Sequence, residues 1–340
     1  MNYIYVFMIT TIIALSIALI VIINKDDDKI FVNARDYNKF VMNKKIPKNI
    51  FISISNKEIL TDDNNKVNKV IQKTIKDFPD YNVKVYDDQE IYEEVKSFGD
   101  DLLTICYEEI IPNAYKCDIF RLVVLYKYGG IYIDAGMEII QDNFTKLLNE
   151  NEMIFTRDSG FAGKYDIMNG FMITIKENPF ILSVIEKIKH NISHFNYTDT
   201  TLGITGPTCV GVVYKDYFGY NCYEGQQFSN IYILKHHKDT STVTLENKNI
   251  QILKPKVRDN LGNTINKLSD KHYSKLWYYD KVFYQLAECD WSKTAKNYFI
   301  NEEGYLCAHL LNKKGYYQFS SIQYEPNTKY KNDNGNFIKI

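Results

Sequence analysis

The sequence predicts an α/β protein built on a parallel or mostly parallel sheet covered by helices on both faces, with an N-terminal membrane span ahead of it. Three observations carry this prediction. From residue 47 onward, short apolar runs alternate with stretches of helical period, the order that sets parallel strands beside crossover helices. Residues 3–23 contain no charged side chain, and a helix of that length rises about 30 Å, the thickness of a bilayer's hydrocarbon core. The 340 residues are enough for one large core or two small ones. A formal net charge of −1 gives no support to nucleic-acid binding. The six cysteines form no CxxC pair, which argues against a zinc or thioredoxin-like site.

Taken in order, the apolar span is followed by Asn24, Lys25 and Asp26 to Asp28 rather than by small residues, which favours an uncleaved anchor (1–24) over a signal peptide. Lys25, Lys29 and Arg35 follow the span and no base precedes it. The positive-inside rule then leaves the large domain on the cytoplasmic side, although large C-terminal domains can be translocated regardless. Residues 25–45 are polar, lack a sustained period and read as a stem. Residues 49–54 form a first core strand after Pro47. Residues 58–76 read as one amphipathic helix, with Val67, Val70, Ile71 and Ile75 on one side. A second strand spans 81–86, where Val83 and Val85 alternate with polar neighbours, and a helix carrying Ile91, Val95 and Phe98 follows.

The segment 116–140, KCDIFRLVVLYKYGGIYIDAGMEII, is the most informative. Ile119, Leu122, Val123 and Tyr126 recur at the spacing of one helix face. Gly129 and Gly130 can take the left-handed conformations that close a helix. Ile131 to Ile133 is short, apolar, β-branched and aromatic, hence a buried strand. This arrangement sets Asp118 and Arg121 on one helix face and Asp134 at the carboxyl end of a strand, where α/β sheets bind ligands. An ordinary helix ion pair and an incidental Asp fit the same residues.

The second half continues with strands at 153–156 and 169–175. A helix then begins at Asn178 as cap and Pro179 as first residue, with Ile181, Val184, Ile185 and Ile188 inward. Residues 203–207 are a turn, and 231–234 a strand leading into His236 and His237. Beyond residue 240 the pattern weakens, apart from the aromatic cluster Trp277, Tyr278 and Tyr279.

In combination, a helix with Asp and Arg three apart, a double glycine and a short strand ending in Asp resemble the donor region of glycosyltransferases with the GT-A (Rossmann-like) fold. The resemblance is to the DXD-containing sugar transferases, the glycosyltransferase family 32-like group that includes yeast mannosyltransferases, capsular polysaccharide enzymes and, more distantly, clostridial glucosylating toxins. The usual pattern there is SD-x-x-R followed by GG-[IV]-Y-x-D-x-D. Ile46-Pro47-Lys48-Asn49-Ile50 is similar to the group's opening I-P-K-x-I. YNVKVYDDQEI, NGFMITIKENPFI and TGP follow in the group's order, so the resemblance covers about residues 46–215.

The resemblance implies that Asp118 and Arg121 hold hydroxyls of the donor sugar, and that Tyr132 and Asp134 belong to the same site. Asp134 would also help to hold a Mn²⁺ or Mg²⁺ ion, which neutralises the departing diphosphate of a UDP-sugar or GDP-sugar donor. The chain departs from the pattern at the second Asp, since it reads Asp134-Ala135-Gly136. Three explanations compete. Glu138, two residues on, reaches the metal by the period-two rule of a strand. Alternatively Asp134, waters and diphosphate oxygens suffice, or metal-dependent catalysis is lost. His272, with Ser274 and Trp277 in HYSKLW, is similar to the group's closing element and is a further metal candidate, as are His236 and His237.

The expectation is therefore a nucleotide-sugar-dependent glycosyltransferase that acts with retention on a glycan, lipid or protein acceptor. Its GT-A-like domain spans 46–340, with a donor half at about 46–145 and an acceptor half at about 146–340. By resemblance it is a lumenal enzyme held by a single-pass anchor. The rival expectation is a catalytically inactive, membrane-anchored carbohydrate- or nucleotide-sugar-binding protein on the same fold.

Overall fold

The computed structural model describes Tyr37 and residues 44–148, 153–158, 166–219, 227–228, 231–237, 240, 242–245, 250–257 and 272–340. The expected anchor at 3–23 and nearly all of the stem lie outside these residues. No helix among the described residues is long and apolar enough to cross a membrane.

Strand β1 (Asn49–Ser53) shows why the sheet is covered twice. Its alternation turns Phe51 into one hydrophobic cluster and Ile50 and Ile52 into another. The expected helix at 58–76 is two pieces, a 3₁₀ turn at Lys57–Thr61 and helix α1 (Lys66–Asp77). Its apolar period is right but its start is later, because the Asn65 side chain accepts from the Val67 and Asn68 amides and caps a new helix. β2 (Asn82–Tyr86) pairs with β1 in parallel. α2 (Asp88–Lys96) opens with a capping box between Asp87 and Glu90. α3 (Asp101–Glu109) and α4 (Asn113–Tyr128) lead to β3 (Gly130–Ile133), which pairs in parallel with the other side of β1.

The chain thus moves from β1 to β2 through α1, whose Ile71 packs in the cluster beneath Ile50. It returns past β1 to β3 through α4, whose Ile119 and Val123 pack in the opposite cluster with Phe51. The crevice at the carboxyl ends of β1 and β3 is therefore a topological switch point, the place where such sheets bind ligands.

α5 (Gln141–Leu148), β4 (Met153–Arg157), β5 (Ile167–Thr174), α6 (Pro179–Ser193), α7 (Pro207–Phe218), β6 (Gln227–Phe228), β7 (Ile231–His237), β8 (Thr242–Leu245) and β9 (Ile250–Leu253) complete the main body. The sheet order is β2-β1-β3-β5-β4-β7-β8-β9, with β6 beside β7. β1, β2, β3, β4, β7 and β9 run one way, and β5, β6 and β8 the other. The sheet is therefore mixed, with most strands in one direction. The antiparallel entry of β5 between β3 and β4 follows from its short connection to β4, which leaves no room for a crossover helix.

Past residue 240, where sequence periodicity fades, the structure forms α8 (Tyr273–Tyr278), α9 (Tyr284–Glu288) and two small antiparallel sheets. One holds β10 (Ala295–Ile300), β11 (Tyr305–Leu311) and β12 (Tyr317–Gln323); the other holds β13 (Tyr330–Asp333) and β14 (Asn336–Lys339). Trp291 is 1% exposed and meets Phe195, Tyr298 and Phe337 edge-on, which joins this region to the main core. The five described cysteines, Cys106, Cys117, Cys209, Cys289 and Cys307, are free thiols.

Glu109, at the end of α3, is fully buried and accepts hydrogen bonds from the Gln285 amide at 2.7 Å and the Tyr324 hydroxyl at 2.7 Å. Burial raises its carboxyl to about 8, against the lowering effect of those two donors. An unfolded Glu releases its proton near 4.5 while the folded one retains it to about 8, so stability falls as pH rises between those values and levels off above them. Glu109→Gln removes the charge, keeps an oxygen to accept from the Gln285 amide and reverses the other bond, its Nε2 donating to the Tyr324 hydroxyl oxygen. The variant is expected to lose this fall and to be more stable than wild type at pH 8, by on the order of a few kcal/mol. Urea unfolding at pH 5 and pH 8 checks this.

Candidate functional site

The site begins with the two glycines that end α4. Gly129 has φ +62°, and a Cβ there would lie 2.4 Å from the Lys176 amide nitrogen. Gly130 has φ +116°, and its Cβ would lie 2.5 Å from the Asn49 carbonyl oxygen. Only glycine lets the helix pass directly into β3 against β1. That passage fixes Asp134 one residue beyond β3, at the sheet edge that also carries Ser53, the last residue of β1, and Asn169 and Gly170 of β5. The Asp134 amide donates to the Gly170 carbonyl at 2.8 Å, and a Cβ on Gly170 would lie 2.8 Å from Asp134 Oδ2. The carboxylate therefore occupies space that glycine vacates.

Four side chains converge on this edge. Asp118 Oδ1 accepts from Asn169 Nδ2 at 2.8 Å, and Oδ2 accepts from the Thr205 hydroxyl at 2.7 Å. Arg121 Nη2 lies 3.2 Å from Asp118 Oδ1 and 3.6 Å from Asp134 Oδ1, so the guanidinium bridges both carboxylates. Its Nε donates to the Cys117 carbonyl at 3.2 Å, and its Cζ lies 4.7 Å from the centre of the Tyr132 ring, a cation–π contact worth about 2 kcal/mol when desolvated. The Tyr132 hydroxyl bonds Ser53 Oγ at 2.7 Å and donates to Asp134 Oδ1 at 3.2 Å.

Burial pushes the Asp118 carboxyl above its ordinary range, and Arg121, Thr205 and Asn169 offset this in part. At Asp134 burial acts in the same direction, but Lys256 and then Arg121 outweigh it and hold that carboxyl below the usual range. Burial disfavours charge on Arg121, yet Tyr132 and the two carboxylates leave it more firmly protonated than a free arginine.

The structure brings together Asp118, Arg121, Tyr132 and Asp134, and it does not bring Glu138 to them. β3 ends at Ile133, the Met137 amide folds back to the Asp134 carbonyl at 3.0 Å, and Gly136 sits at φ +89°. The period-two rule needs an extended chain, and here the chain turns. Glu138 instead pairs with Lys254 at 2.6 Å and Lys73 at 3.7 Å. His272 is the N-cap of α8, where its Nδ1 accepts from the Ser274 amide at 3.3 Å and bonds Ser274 Oγ at 2.6 Å. Trp277 Nε1 donates to the Tyr197 carbonyl at 2.7 Å. His236 lies 3.4 Å from Asp158, and His237 bonds Thr244 at 2.8 Å on the β7–β8 pair.

The remaining site residues were not singled out from sequence. Asn169 and Thr205 lie in the NGFMITI and TGP segments, and their signal was the resemblance of those segments. Lys256, whose Nζ donates to Asp134 Oδ2 at 2.7 Å, follows β9 in the run KPK and carried no local signal.

These residues do not fit a divalent metal. Asp134 contributes one carboxylate, whose oxygens already face Lys256, Arg121 and Tyr132. Gly136 offers no side chain, Glu138 is engaged elsewhere, and among the described residues no three His, Cys, Asp or Glu side chains group as metal ligands. A cation placed about 4 Å from Lys256 would be repelled by about 4 kcal/mol per unit charge at an effective dielectric of 20.

Residues 64–154 match the family model described as a glycosyltransferase sugar-binding region containing a DXD motif. Over those residues the chain is similar to the sugar-binding region of DXD-type glycosyltransferases. More particularly, it is similar to mannosyl phosphorylinositol ceramide synthase CSH1 of Saccharomyces cerevisiae, with 27% identity over 77% of this chain and 66% of that protein. Mannosyl phosphorylinositol ceramide synthase SUR1 of the same yeast is 28% identical over 43% of this chain and 37% of its own length. Inositol phosphoceramide mannosyltransferase 3 of Schizosaccharomyces pombe is 28% identical over 40% of this chain and 37% of its own length. The chain thus spans between a third and two thirds of the length of these relatives.

Proposed function

We propose that this chain is a GT-A-type glycosyltransferase that moves a sugar from a nucleoside-diphosphate donor to an acceptor hydroxyl. The observation that carries the reading is the bridging of Asp118 and Asp134 by Arg121, with Tyr132 beneath it, at the switch point of the sheet. Asp118 is held by three donors and so has a fixed orientation in which to meet sugar hydroxyls. Arg121 is rigid, permanently charged and stacked, and it sets the direction of both carboxylates.

In the transfer, the C1–O bond to the diphosphate breaks with its electron pair on the phosphate oxygen. The acceptor oxygen bonds C1, and its proton passes to the departing diphosphate. Retention at C1 is the expected outcome. The names of the similar yeast proteins favour a mannosyl donor, UDP- or GDP-linked, and a phosphoinositol-bearing ceramide acceptor. One domain over 46–340, an anchor at 1–24, a stem at 25–45 and a lumenal position complete the proposal.

Incubation of the full chain with UDP- and GDP-sugars is expected to release sugar slowly, and Asp134→Asn is expected to abolish the release. A second reading, a binding protein without turnover, is favoured by one observation, the glycine at position 136 of the DXD-like motif. It predicts donor binding with no release from any donor.

A further inference from the structure

Gly136 and Lys256 belong to one feature. The end of β9 and the segment after it run along residues 136–140: the Ile140 amide donates to the Ile252 carbonyl at 2.9 Å, the Lys254 amide to the Glu138 carbonyl at 3.0 Å and the Val257 amide to the Gly136 carbonyl at 2.8 Å. A Cβ on Gly136 would lie 2.3 Å from the Val257 carbonyl oxygen, so a side chain at that position excludes the segment. An Asp at 136 and Lys256 beside Asp134 are therefore incompatible in this arrangement, and the glycine that removes one metal ligand is the residue that admits the cation.

Lys256 Nζ lies 2.7 Å from Asp134 Oδ2, with the lysine side chain 33% exposed and the aspartate 23%. The pair is thus open to solvent at the sheet edge. Asp134 is the partner of this ammonium among the described residues, and an ammonium has three donors, so two N–H groups remain for phosphate oxygens. A mobile stem with a compact charge suits a diphosphate.

We propose that Lys256 is the resident cation of the donor site, holding the diphosphate of the nucleotide sugar where a divalent metal stands in the DXD pattern. The proposal rests on the donor-site reading above. As the C1–O electron pair moves onto the diphosphate, Lys256 meets the added charge and keeps its own protons.

The test uses the full chain in detergent with three probes: Mn²⁺ alone, UDP and GDP. Electron paramagnetic resonance of Mn²⁺ is expected to show no bound ion that Asp134→Asn removes. Calorimetry is expected to give a nucleotide affinity that agrees within about twofold in EDTA and in Mn²⁺. Lys256→Met, checked by its melting curve, is expected to weaken nucleotide binding in EDTA by about tenfold or more, while Lys256→Arg retains most of it. Lys256→Gln serves if the Met variant does not fold. Asp134-dependent Mn²⁺ binding, tightening of wild-type nucleotide binding by Mn²⁺ of tenfold or more, or unchanged binding in the Lys256 variants overturns the proposal and leaves the donor-site reading standing. Failure of both nucleotides to bind in either condition overturns the donor-site reading, and the proposal with it.

Discussion

Asp118→Ala is expected to destabilise the protein by about 3–5 kcal/mol and to eliminate sugar release. The carboxylate is 7% exposed and is the shared acceptor for Asn169, Thr205 and Arg121. Its removal leaves a guanidinium that is itself 6% exposed with Asp134, at 3.6 Å, as its one remaining carboxylate among the described residues, along with two buried donors that lose their acceptor. Thermal melting checks the stability and is expected to fall by roughly 5–10 °C. Asp118→Asn keeps the shape and removes the charge, so its melting point is expected to lie between those of wild type and the alanine variant. A melting point for Asp118→Ala equal to that of wild type would show that the buried pair contributes nothing to the fold.

The second large effect concerns the departure from the DXD pattern. Gly136→Asp restores the motif in sequence but is not expected to restore it in space. The backbone there has φ +89°, and the new Cβ would meet the Val257 carbonyl oxygen at 2.3 Å. The conformation alone costs an ordinary residue about 1–3 kcal/mol, and the contact displaces the segment that holds Lys256. Gly136→Ala is expected to lose as much stability as Gly136→Asp, because the cause is the Cβ and not the carboxylate. Chemical denaturation of the two variants side by side checks this; a stable Asp variant beside an unstable Ala variant contradicts it.

Much of the site was legible because its signals are local. The spacing of Ile119, Leu122 and Val123 defines a helix face, the glycine pair ends it, and the apolar run after it can only be a buried strand. Asp118, Arg121 and Asp134 were therefore placeable without tertiary knowledge. The cap at Asn178 with Pro179 was legible for the same reason, and its side chain accepts from the Phe180 amide at 2.9 Å.

The failures have physical causes. Glu138 was expected beside Asp134 because the period-two rule assumes a strand, and a glycine with positive φ turned the chain. Lys256 pairs with a carboxylate 122 residues earlier, and only the path of the chain after β9 brings it there. Past residue 240 the sequence pattern weakens, although Asn334 and Gly335, at φ +51° and +87°, carry the sequence signal of a tight hairpin turn. Strand β12 there alternates half-buried and exposed residues and leaves Phe319 at 57% exposure, so no apolar run marks it.

The central claim is that the edge formed by Asp118, Arg121, Tyr132 and Asp134 handles a nucleotide sugar. Donor turnover tests it most directly, measured as nucleoside diphosphate and free sugar released from a panel of UDP- and GDP-sugars by the full chain, with Asp134→Asn as the control. Slow release from at least one donor that the Asp134→Asn variant does not support is the predicted result, and neither binding nor release with any donor would contradict it.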